Sequence, residues 1–138
     1  MIKIKVLTIG KTKEKWLNDA IKLYEKRVSH SLVFNWDLVK DTNQLLMHAE
    51  KLTNYICLDP KGLSLTSIDF CEKLFSPPQS RISFIIGGDM GIPNKIVERA
   101  SMVLSLSPLT FTHQITRLIL IEQLYRSLEI QKGSKYHK

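Results

Sequence analysis

Residues 81–91, Arg-Ile-Ser-Phe-Ile-Ile-Gly-Gly-Asp-Met-Gly (RISFIIGGDMG), decide how this chain folds. From Arg81 to Ile86 the run is apolar nearly throughout and stops on Gly87-Gly88. A strand of that kind has neither face in water, which fits a parallel sheet covered by helices on both sides. Three glycines then fall within five residues, free to adopt positive φ and to let backbone approach a ligand closely. The loop matches neither GxGxxG nor GxxxxGK[ST], so taken alone it is open between a binding loop and a plain glycine turn.

Outward from this strand the same alternation repeats. On the N-terminal side, Ile2 to Ile9 reads as a strand closed by Gly10, and Lys13 to Arg27 as a helix with Trp16, Ala20, Tyr24 and Val28 at four-residue spacing. A strand at Leu32 to Val39, a helix from about Asn43 to Leu52 entered through Asp41-Thr42, and a strand at Tyr55 to Leu58 follow. Asp59-Pro60-Lys61-Gly62 then breaks the chain. A helix from Ser67 to Phe75 leads through Pro77-Pro78 into Arg81. On the C-terminal side, Pro93 opens a short helix to Ala100 and Met102 to Leu106 is the last strand. A long helix, His113 to Ile130, buries Leu118, Ile121, Leu124, Tyr125 and Leu128. The pattern predicts an α/β fold, a single domain over residues 1–138 built on one parallel sheet with helices on both faces. Ligands of such sheets sit at the carboxyl ends of the strands, which here are Leu58-Asp59, Gly87-Gly88 and Leu106 to Phe111.

The 138 residues are 43% hydrophobic and 24% charged, the balance of a globular protein with one core, which excludes the disordered and fibrous classes. Twenty Lys and Arg against thirteen Asp and Glu leave a net charge of +7, which favours a polyanionic partner, nucleic acid first. No apolar run reaches membrane-spanning length and the N-terminus alternates charge with apolar residues, so a cytoplasmic protein without a membrane partner is expected. Cys57 and Cys71 lack CxxC spacing and read as small buried side chains. His30, His48, His113 and His137 are scattered, so no metal is expected.

Three further segments bear on chemistry. Leu106-Ser107-Pro108-Leu109-Thr110-Phe111 joins the last strand to the last helix. It is either an ordinary connection or a loop offering polar backbone to a purine edge between apolar walls. His113 and Arg117 share one face of the final helix, either as an anion site or as a cap and a surface ion-pair partner; Glu122 and Arg126 read as a plain helix ion pair. The end Lys132-Gly133-Ser134-Lys135-Tyr136-His137-Lys138 suits phosphates and an unpaired base, or is a frayed tail.

Together, IIGGDMG at 85–91, LSLSPLTFTHQITRLILIEQLYRS at 104–127 and the terminal KYHK resemble the small SPOUT-class methyltransferases that methylate N3 of a pseudouridine in bacterial 23S ribosomal RNA. The IKVLTIGK opening and the YICLD strand are similar to that family as well. The resemblance implies a deep C-terminal trefoil knot, a topology that general folding rules exclude. It implies S-adenosylmethionine (SAM) as cofactor, held by Leu58, Gly87, Gly88 and Leu106, Ser107, Pro108, Leu109, Thr110 and Phe111. Asp89-Met90 stands where the family has Pro-Glu, so Asp89 is given no catalytic task. For substrate RNA the expected contacts are His113, Arg117, Tyr136, His137 and Lys138. Arg117 would hold a phosphate or the developing anion, Tyr136 would position the base, and His137 would accept the proton. A chain this small has little spare surface, so a homodimer is expected in which one subunit's tail completes the other's pocket. The competing readings are a SPOUT methyltransferase acting on tRNA or another rRNA nucleotide, and a non-catalytic RNA- or ribosome-binding α/β module.

Overall fold

The apolar run at 81–86 becomes the middle strand of a five-stranded sheet in the computed structural model, which describes residues 1–138. The strands are β1 (Ile2–Ile9), β2 (Leu32–Val39), β3 (Ile56–Ser64), β4 (Arg81–Ile86) and β5 (Met102–Ser105). Between and after them run α1 (Lys15–Val28), α2 (Thr42–Glu50), α3 (Ser67–Phe75), α4 (Asn94–Arg99) and α5 (His113–Lys132). The sheet order is β2-β1-β4-β3-β5 and every pairing is parallel.

Alternation along β4 divides the core in two. Phe84 and Ile86 pack with Ile4, Val6 and Leu104 beneath α1, α3 and α5, where Leu120, Leu124 and Leu128 close the layer. Ile85 faces the other way, packing with Leu7, Cys57 and Val39 beneath α2 and α4. Phe84 and Ile85 are wholly enclosed, and burial of side chains of this size stabilises by roughly 1.5–3 kcal/mol each. Cys57 and Cys71 are buried free thiols, and desolvation pushes Cys57 up to about 12, so neither is poised for thiolate chemistry.

Three elements differ from their sequence expectation. In α1 the buried face is Leu17, Ile21 and Val28, while Trp16 is 57% exposed. A strict four-residue spacing overshoots a full turn by about 40° per step, so a stripe through Trp16, Ala20 and Tyr24 slides off the core. Mixed steps of four and three do not. The Asp-Pro-Lys-Gly segment is not the end of β3 but a bulge within it. Leu58 and Leu63 both pair with Leu104, leaving Asp59–Gly62 as excess residues. The Asp59 carboxylate accepts from the Lys61 amide at 2.8 Å, and a Cβ on Gly62 would lie 2.7 Å from the Val103 carbonyl. Only glycine lets the returning strand run that close to β5. Finally, α5 buries Leu120, Ile121, Leu124 and Leu128, while Leu118 and Tyr125 of the expected face are only half-buried. It starts on Thr112, whose hydroxyl accepts from the Ile115 amide, and ends on Gly133 at φ 72, the left-handed stop that glycine supplies. No helix is long and apolar enough to cross a membrane.

Candidate cofactor pocket and active site

The carboxyl ends of β4 and β5 and the bulge of β3 between them in the sheet feed into one cleft of about 290 Å³. The bulge of β3 contributes Leu58, Asp59 and Pro60, and the β4 end contributes Ile86 to Asp89 with Gly91 and Ile92. The third wall is Leu106, Ser107, Leu109 to Phe111 and the start of α5 at Thr112, His113 and Thr116. Every cofactor position expected from sequence lines this cleft except Pro108, which is exposed on the loop's outer side. Asp59, named with Leu58 as a strand end, lines it too, and Pro60, Ile92 and Thr116 line it without having been singled out. Pro60 belongs to the bulge that was read as a chain break.

Two local devices hold the walls. Gly91 at φ 78 returns its amide to the Gly88 carbonyl at 3.0 Å, folding Gly88-Asp89-Met90-Gly91 into a tight turn. That turn packs on Gly87 so closely that a Cβ there would sit 2.5 Å from the Gly91 carbonyl carbon and 2.8 Å from the Ile92 amide. In the 106–111 loop, the Ser105 hydroxyl donates to the Ser107 carbonyl at 2.8 Å, and the Ser107 hydroxyl accepts from the Leu109 amide at 3.0 Å. Both loops therefore present fixed backbone to whatever lies between them.

At the mouth, His113 Nε2 lies 3.3 Å from the Asp89 carboxylate, while Nδ1 is buried in the cleft wall with no partner. Burial first, then the neighbouring Arg117 charge, holds this imidazole below its ordinary value, so it is neutral at neutral pH.

Arg117 corrects the sequence expectation. It is fully enclosed rather than presented to a phosphate. One terminal nitrogen donates to the Thr12 hydroxyl at 3.0 Å, and the other donates to the Ile9 and Gly10 carbonyls at 2.9 Å each. Burial lowers its pKa to about 10, which leaves it charged at neutral pH, and no carboxylate pairs with it. The guanidinium is a bracket tying the β1–α1 connection to α5, and direct contact with RNA is closed to it.

The tail packs on its own helix. Tyr136 and His137 line no part of the cleft of their own chain. Tyr136 donates its hydroxyl to Glu122 at 2.8 Å and lies under the Arg126 guanidinium, 4.7 Å from ring centre. Arg126 pairs with Glu122 at 3.1 Å, the ion pair read from their spacing, and also meets His137 Nδ1 at 3.2 Å. Burial and the Glu122 hydrogen bond raise the Tyr136 pKa, so the phenol stays protonated. Lys138 is exposed. Tyr136→Phe is expected to weaken tail docking by about 1 kcal/mol, seen as faster amide exchange over residues 134–138 with the melting temperature nearly unchanged.

These features define a parallel α/β domain with a small-molecule pocket at its strand ends. The family model described as "Predicted SPOUT methyltransferase" matches residues 2–137, and the chain belongs to that family. A relative from Protochlamydia amoebophila, "Ribosomal RNA large subunit methyltransferase H", is 49% identical and aligns over 100% of both chains. A protein of the same name from Prochlorococcus marinus (strain MIT 9301) is 36% identical, over 99% of this chain and 96% of its own. Among solved structures, a probable methylase family protein from Haemophilus influenzae superposes with a TM-score of 0.63 at 12% identity, covering 98% of this chain and 70% of that one. A putative methyltransferase from Legionella pneumophila, solved with bound SAM, gives 0.52 at 13% identity, over 92% of this chain and 66% of its own.

SPOUT methyltransferases use SAM, and the cleft has the chemistry for it. Leu58, Ile86, Leu106 and Phe111 offer apolar walls for a base, Gly87 and Gly88 bare backbone, and Ser107 and Thr110 hydroxyls. The unpartnered His113 Nδ1 is a polar atom that a ligand in the cleft would satisfy.

Proposed function

We propose that this chain is a cytoplasmic methyltransferase, one domain over residues 1–138, that transfers methyl from SAM to N3 of a pseudouridine in 23S rRNA on the assembled ribosome. The observation that carries this reading is the 49% identity, end to end, to a relative named for large-subunit ribosomal RNA methylation. The net charge of +7 supports a polyanionic substrate.

When bound, SAM supplies an electrophilic methyl on its sulfonium. Leu58, Gly87, Gly88 and the 106–111 loop, Pro108 included as its rigid corner, would hold the cofactor. The acceptor N3–H is a weak acid, so a proton acceptor is needed there. His137 takes the proton, Tyr136 orients the base, and His113 and Lys138 contact the RNA. Arg117 acts on these groups only as a positioning residue, through the loop it brackets.

The tail reaches a pocket as part of a homodimer, one subunit completing the other's site. Ile115, Ile119 and Ile130 on α5 are only half-buried in the single chain, which supports a partner surface along that helix. Membership of the SPOUT family supports a deep trefoil knot through the 106–111 segment.

Calorimetry is expected to show saturable SAM heat, and His137→Ala is expected to slow single-turnover methylation of ribosomes at least tenfold while leaving that heat intact. Unchanged single-turnover rates would remove His137 from proton transfer. Absence of SAM heat would favour a non-catalytic RNA-binding module, and methylation of tRNA in preference to ribosomes would favour a different RNA substrate.

A further inference from the structure

We propose that Lys11 and Lys13, on the β1–α1 connection, form a phosphate clamp that seats the RNA backbone beside the cofactor cleft; this rests on the reading of the chain as an rRNA methyltransferase. Both lysines are exposed and neither takes part in an ion pair, unlike Lys15, which is held by Asp19 at 2.9 Å. Their backbone is unusually well fixed for a surface turn. The Lys13 amide donates to the Gln114 side-chain oxygen at 3.0 Å, and the Gln114 amide group donates to the Lys11 carbonyl at 3.0 Å. Between them, Thr12 is gripped by Arg117.

The same contacts set the clamp's position. Gln114 and Arg117 follow His113, which lines the cleft, in the first turns of α5, so the turn is fastened to the helix start that forms the cleft's mouth. On the sheet side, the Ile9 side chain lies against Gly88, within 3.1 Å of where a Cβ would stand. The turn is thus wedged between the glycine loop and α5. Lys13 is near enough to His113 for its charge to act on that imidazole. Glu14, next in the chain, and Asp89, beside His113, are exposed, so solvent screens them more than it would a buried pair.

A long lysine gains little by meeting a phosphate if its backbone must also be ordered. Here Gln114 and Arg117 have ordered it in advance, which gives the buried Arg117 a purpose consistent with its enclosure. The two cations then sit two positions apart, with Thr12 between them, a spacing that lets side chains on one turn reach successive backbone phosphates. Phosphate contacts of this sort fix register without reading sequence.

The test measures binding to bacterial ribosomes over a KCl series. Lys11→Ala/Lys13→Ala is expected to weaken binding at low salt at least tenfold and to lower the slope of log K against log[KCl] by roughly 1.4–1.8, two phosphate contacts' worth. SAM heat is expected to be unchanged, which shows that the variant is folded. Lys11→Arg/Lys13→Arg should restore the slope. Lys51→Ala/Lys73→Ala, which removes the same charge at the C-terminal ends of α2 and α3, should keep it. An alanine pair with the wild-type slope would overturn the clamp, and so would an equal loss from the Lys51/Lys73 pair. A wild-type protein that binds SAM yet neither binds nor methylates ribosomes would instead overturn the functional reading itself.

Discussion

Arg117→Met is expected to cost roughly 3 kcal/mol of stability, read as a lower urea midpoint with an unchanged slope. The methionine fills much of the volume but leaves the Ile9 and Gly10 carbonyls and the Thr12 hydroxyl without their donor. An unsatisfied buried acceptor costs about 1–3 kcal/mol, the lower end applying to these half-buried ones, and the sum is partly offset because a buried cation no longer has to be desolvated. Arg117→Lys should recover less than half of the loss, since one ammonium cannot span three acceptors placed for a planar fork. In the lysine variant SAM binding should persist while affinity for ribosomes falls, because the connection holding Lys11 and Lys13 loosens before the cleft does. A methionine variant with the wild-type midpoint would mean that the guanidinium braces nothing.

The second large effect is expected at Gly87. A methyl there meets the Gly91 carbonyl carbon at 2.5 Å and the Ile92 amide at 2.8 Å, all backbone, so no side chain can swing aside to admit it. Displacing the 88–91 turn costs about 1–3 kcal/mol, and the turn is a cleft wall, so SAM affinity should fall about tenfold to a hundredfold. Gly88→Ala provides the contrast. Its added methyl meets only the tip of Ile9 at 3.1 Å, a flexible end that can rotate, and a far smaller loss is expected. Calorimetric titration of both variants with SAM distinguishes them; equal losses would mean that glycine content, and not the backbone approach at Gly87, matters.

Much of the framework is legible from local pattern. The bounds of β1, β2, β4 and α3 coincide with their apolar runs and turn residues, because each is a strand or helix whose own periodicity is clean. The cleft follows from topology, since any parallel sheet collects its strand ends on one rim. What pattern does not reach is decided by contacts distant in sequence. Pro60 and Gly62 read as a break, yet β3 bulges around them because β5 runs alongside to re-pair with Leu63. His113 and Arg117 share a helix face by spacing, but spacing does not say whether that face looks into solvent or onto the β1–α1 turn. The tail's composition suits a base, although Glu122 and Arg126 of its own helix take up Tyr136 and His137 in the single chain. SAM and the trefoil knot came from motif resemblance, and no count of apolar residues would have supplied either.

The fastening of the β1–α1 connection to α5 also sets when this protein can begin to work. Its bonds join residues 101 to 108 positions apart, among the widest separations a chain of this length permits. Contacts of such span form late, after the loop-closure entropy between them has been met. During synthesis, β1 to β4 can assemble while α5 is still within the translating ribosome, but the outer wall stays open until that helix emerges. The wall is therefore finished only when the final helix docks on the β1–α1 connection.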